Sequence, residues 1–148
     1  MTILLSVPHT TCAIPSRARL KKLATYVVEY VRPHHILPTA TISVVCTNNH
    51  DMAVLNATWK GRQGPTDVLS FPLYEGQGPV SSLIGEIFIN GDVVADRALF
   101  AGISPVRYFE QLFVHGMLSL CGHDHHGEDL HAKKALLLEQ RVYKKCGI

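Results

Sequence analysis

Along this chain, short runs of β-branched apolar residues alternate with stretches whose apolar positions return at helical spacing. Ile3 to Val7 suits a first strand. Ser16 offers a helix N-cap, and Leu20, Leu23, Ala24, Val27 and Val31 follow at helical spacing until Pro33 stops the run. Thr41 to Thr47 (TISVVCT) predicts a strand. Asn49 is expected to cap a short helix with Met52, Leu55 and Trp59 on one side. The glycines and proline of Lys60 to Thr66 (KGRQGPT) predict a loop. Asp67 to Phe71 then reads as a strand, Tyr74 to Ser82 as a loop, and Leu83 to Asn90 (LIGEIFIN) as another strand. Helical pattern fills the rest: Asp92 to Phe100, then Ser104 and Pro105 opening a helix to about Cys121. Gly122 suits that helix's left-handed C-terminal position. A last helix is expected from near Glu128 to near Lys145, acids first and bases last, as the helix dipole prefers. The order β-α-β-α-β-β-α-α-α predicts an α+β fold, a small mixed sheet of about four strands packed on helices. The whole chain, 1–148, reads as a single domain.

Composition fits an ordinary packed core: 47% of residues are apolar and 18% charged, below the typical charged fraction of about 25%. The formal net charge of +2 neither demands nor excludes nucleic acid, so any such claim has to come from a site. Arg17, Arg19, Lys21 and Lys22 are most simply the solvated start of their helix, and otherwise a candidate RNA surface. The four cysteines, Cys12, Cys46, Cys121 and Cys146, form no CxxC pair. Reduced, mostly buried thiols are expected rather than a disulfide scaffold or a cysteine zinc site. No apolar run approaches a membrane span or a signal peptide, which predicts a cytoplasmic protein.

The helix from Ser104 to Cys121 differs from the others. Phe109, Phe113, Met117 and Leu120 line one side, and Leu112, Val114 and Leu118 occupy the rest. A helix apolar on nearly all sides is a buried one, and His115 sits inside it. Five of the nine histidines fall between His115 and His131. Positions 115 and 119 share a helix face. Beyond the Gly122 turn, His125 is able to fold back towards the same point. Such a pattern makes a facial metal site with a position open for water, which is the catalytic arrangement of zinc. His131, His9, His34, His35 and His50 are assigned to the core or the surface.

The string His115-Gly116-Met117-Leu118-Ser119-Leu120-Cys121-Gly122-His123-Asp124-His125 resembles the signature H-G-x-L-H-L-x-G-Y-D-H of the YbeY family of bacterial endoribonucleases. Thr66 to Pro72 (TDVLSFP), Ile84 to Ile87 (IGEI) and Leu55-Asn56 resemble further family segments in the same order. The resemblance implies a zincin-like metal-hydrolase architecture, with the site on a buried central helix, and one zinc ion per chain. His115 and His125 are the implied ligands. The family's middle histidine is Ser119 here, so a water on its hydroxyl or the off-pattern His123 is expected to complete the site, unless the centre is degenerate. The family's loop arginine is Lys60, with Arg62 close by. Lysine supplies charge to a phosphate but not a bidentate fork.

The resemblance further implies cleavage of single-stranded RNA, maturation of the 3′ end of small-subunit ribosomal RNA, ribosome quality control and association with ribosomes. Lys60 and Arg62 are the expected catalytic cations. Asp67, Ser70 and Asp124 are expected on the cleft floor or behind a ligand histidine, although Asp67 and Asp124 read equally well as loop caps. Two rivals stand beside this reading. A peptidase of the HExxH type is disfavoured because Gly116 occupies its glutamate position. The other is a ribosome-associated binding factor that has lost catalysis through Ser119 and Lys60.

Overall fold

The computed structural model describes residues 1–8, 12–73, 82–123 and 130–148. Its elements run β1 (Thr2–Ser6), α1 (Arg17–Val31), β2 (Thr41–Thr47), α2 (Asn49–Lys60), β3 (Val68–Pro72), β4 (Leu83–Asn90), α3 (Gly91–Ala101), α4 (Pro105–Leu120) and α5 (Leu130–Cys146). The strands form one mixed sheet in the order β1-β2-β4-β3. β1, β2 and β4 are parallel, and β3 closes the edge antiparallel to β4. This is the expected α+β fold with four strands. Among the described residues, no helix is long and apolar enough to cross a membrane.

Local chemistry explains most boundaries. The Ser16 and Ser104 hydroxyls accept the N–H groups of Arg19 and Arg107, and Pro105 opens α4 as the sequence predicts. α2 is capped one residue earlier than expected. Asn48 accepts from Asp51, while Asn49 lies inside the helix and its side-chain oxygen accepts from Asn90. β3 begins at Val68 because Asp67 turns its carboxylate back to the Val68 N–H, 2.7 Å away. Pro72 is tolerated because β3 is an edge strand. Trp59 corrects the expected apolar side of α2: Met52 is buried, but Trp59 points outward. Residues 74–81, where a loop was expected, and 124–129, which hold the expected start of the last helix, lie outside the described residues.

One sheet face carries Ile42, Val44, Cys46, Ile87 and Ile89, all fully buried in one cluster with Phe109, Phe113, Met117 and Leu120 of α4. α4 is the buried central helix, between the sheet, α1, α3 and α5. Gly116 sets how close it lies. A Cβ there would stand 2.8 Å from Ile87 Cγ2 and 3.0 Å from Ser70 Oγ, so only glycine lets this turn rest on β3 and β4. Arg19 corrects the solvated reading of its charge. Its guanidinium makes two bonds to buried Glu110, at 2.8 and 3.0 Å, and a third to the Cys146 carbonyl, tying α1 to α4 and α5.

Candidate active-site cleft

The exposed loop after α2 is held from beneath by one buried side chain. Asn56 donates from Nδ2 to the Gly64 carbonyl at 2.9 Å, and its backbone carbonyl accepts from the Arg62 N–H. A second buried asparagine anchors the loop's far end. Asn90 Nδ2 donates to the Thr66 carbonyl, and the Asn90 N–H to the Asp67 carbonyl. The loop therefore spans two fixed points and presents Lys60 and Arg62 at the mouth of a cleft of about 370 Å³. Lys60 Nζ also sits 5.3 Å over the Phe71 ring, a cation–π contact. The cleft wall and floor include Asp67, Ser70, His115 and Ser119.

His115 and Ser119 are brought together as their spacing predicts, one turn apart and facing the same space. His115 is backed by a carboxylate that the sequence reading did not single out. Its Nδ1 lies 3.2 Å from Oε1 of buried Glu139 on α5, and since a carboxylate only accepts, Nδ1 is the donor. The same oxygen accepts from the Tyr143 hydroxyl, which also reaches the Gln111 carbonyl at 2.9 Å. Burial, and then the Glu139 charge, push the Tyr143 hydroxyl's pKa well up, so it stays a donor at any physiological pH.

Asp67 has other partners: one oxygen accepts from Val68 N–H and the other from Arg97 at 3.0 Å. Ser70 touches the Gly116 carbonyl at 3.4 Å, at the junction of β3 and α4. The end of α4 is fully paired. Cys121, His123 and Gly122 donate to the carbonyls of Met117, Leu118 and Ser119, and His35 Nε2 lies 3.0 Å from the Leu120 carbonyl. With Gly122 at φ +87° this is a Schellman ending, which fixes where the chain leaves the helix. The His123 backbone belongs to that turn, and its side chain is not among the described cleft-lining residues. Asp124 and His125 lie outside the described residues. Among the described residues no group of three or more His, Cys, Asp or Glu is placed to hold a metal ion. The site they supply is one buttressed imidazole with a hydroxyl a turn away. The crowding at Gly116 also leaves no room for the glutamate of an HExxH peptidase.

Residues 8–147 match the family model described as Endoribonuclease YbeY. The chain is 37% identical over 119 residues to Endoribonuclease YbeY of Thermobifida fusca, covering 76% of this chain and 75% of that protein. It is 37% identical over 133 residues to Endoribonuclease YbeY of Erythrobacter litoralis, covering 84% and 80%. The solution structure of TM1509 from Thermotoga maritima superposes with a TM-score of 0.59 at 21% identity, over 98% of this chain and 89% of that one. The structural likeness supports the fold, and the sequence matches support a hydrolase of the nuclease class. The chain belongs to the YbeY endoribonuclease family, and its RNA-cleaving relatives support an endoribonuclease role for it.

Proposed function

We propose that this chain is a metal-dependent endoribonuclease for single-stranded RNA, acting at the cleft between the Lys60–Thr66 loop and α4. Its substrate on this reading is ribosomal RNA, in maturing the 3′ end of the small-subunit RNA and in ribosome quality control. It works there in the cytoplasm, in association with the ribosome. The observation that carries the reading is the Glu139-backed His115 in a cleft whose mouth holds two cations, in a chain of this family. A neutral imidazole with its proton held on Nδ1 by a carboxylate keeps its lone pair at Nε2, the form in which histidine binds metal.

On this reading one zinc ion is held by His115 and His125 and completed by His123 or by a water on Ser119, and the Glu139-backed ring of His115 supports it. Such an ion supplies Lewis-acid polarisation and an activated water near neutral pH. The remaining roles belong to the chain itself. Lys60 and Arg62 offset phosphate charge as it grows in the transition state. Asn56 and Asn90 keep those cations in place by fixing both ends of their loop. Elemental analysis of the native protein and of Ser119→His, purified without chelator or histidine tag, tests the centre. About one zinc per native chain, the composition of a three-ligand catalytic site, supports it. Metal and RNA cleavage only in Ser119→His would make the native chain a ribosome-associated binding factor on the same scaffold.

A further inference from the structure

Trp59 is the chain's single tryptophan, and it is 68% exposed. An exposed indole is uncommon enough to ask what it meets. It stands in the last turn of α2, one residue before Lys60, which lines the cleft. Its ring contact among the described residues is of edge type, with Phe71 at 6.3 Å between centroids and 64° between planes. Phe71 in turn meets Phe88 edge-on at 5.7 Å, so Trp59 stands on a packed aromatic base. Phe71 also receives Lys60 Nζ over its ring. An exposed indole thus adjoins the cleft-lining Lys60, sharing Phe71 with it, and Arg62 lines the cleft two residues further on; this is the pairing of aromatic surface with phosphate-binding charge that single-stranded nucleic acids use.

We propose that Trp59 stacks an unpaired nucleobase of the substrate strand, next to the phosphate held by Lys60 and Arg62. The proposal rests on the endoribonuclease reading and deepens it. A base paired within a duplex is not available to such a stack, so Trp59 selects for single strands. Every base has a π-face, so it selects little for sequence.

Because Trp59 is the sole indole, its emission reports the contact directly. The probe is a short 2′-O-methyl oligouridine, with inorganic polyphosphate as an anion lacking bases. The oligonucleotide should quench the emission saturably, and polyphosphate should not. Trp59→Ala should weaken oligonucleotide binding, read by anisotropy of a labelled strand, by roughly five- to a hundred-fold, while Trp59→Phe retains most of it. With a cleavable strand the loss should fall mainly on KM. Saturable binding without quenching, or equal binding by Trp59→Ala and native protein, would overturn the stack while native cleavage leaves the endoribonuclease reading standing. A zinc-supplemented native protein that neither binds nor cuts single-stranded RNA would overturn both.

Discussion

Glu139 Oε1 lies 3.2 Å from His115 Nδ1, joining the middle of α4 to α5 across 24 residues of sequence. The carboxylate is buried and also receives the Tyr143 hydroxyl, so two donors converge on one oxygen. An imidazole held this way cannot rotate freely, so under the proposed function His115 is already organised to receive a metal.

Glu139→Gln keeps the shape but removes the charge behind the ring. Metal affinity, measured by competition with a chromogenic chelator, should fall roughly ten- to a hundred-fold, and RNA cleavage at limiting metal should fall with it. Unchanged affinity would make Glu139 a packing residue only.

The contact between Gly116 and β4 predicts a cost for adding one methyl group. Alanine gains about 1 kcal/mol of helix propensity over glycine, but its Cβ would stand 2.8 Å from Ile87 Cγ2. Overpacking of that kind costs about 1–3 kcal/mol. Gly116→Ala should therefore lose stability in urea melts, and Ile87→Val should recover part of the loss. A stabilised Gly116→Ala would show that the helix has room to move away.

Arg19→Met leaves Glu110 buried without the two hydrogen bonds it now accepts. Breaking a buried pair on one side costs about 3 kcal/mol at the lower end of its range, apt here because Arg19 is one-third exposed. Urea denaturation measures it. A loss below about 0.5 kcal/mol, typical of surface pairs, would return Arg19 to the solvated class.

Burial pushes the Cys121 thiol from its ordinary pKa of 9.0 to about 12. In the unfolded chain it ionises near 9, while in the fold it stays neutral. Its contribution to stability is therefore intact below pH 9 and is lost as pH rises towards 12. Alkylation of native protein at pH 8 should modify half-exposed Cys12 and Cys146 and spare buried Cys46 and Cys121, as mass mapping would show. Rapid labelling of Cys121 would contradict the burial.

Much of this arrangement was legible in the sequence because local rules carried it. The β-branched runs at Thr41 to Thr47 and Leu83 to Asn90 have the predicted strand limits. Ser104, Pro105 and Gly122 bound α4 by capping chemistry alone. The convergence of His115 and Ser119 followed from helical spacing. Partners set by tertiary packing were not legible. Glu139 is 24 positions from His115, yet a signal was present: it shares a buried stripe with Ala132, Ala135 and Val142, where an acid calls for a partner. Glu110 in the apolar α4 gave the same kind of hint for Arg19. The spacing of Met52, Leu55 and Trp59 puts them on one side of a helix, but it does not reveal that the buried positions of α2 are Met52 and Asn56.

The most direct test of the account is cleavage of a single-stranded RNA by native protein and by His115→Ala, each assayed after chelator treatment and again with zinc restored. Zinc-restored native protein should cleave, chelated native protein should not, and His115→Ala should not in either state, with circular dichroism showing both proteins folded. Equal cleavage by folded His115→Ala would contradict it, and would place the chemistry elsewhere than in this cleft.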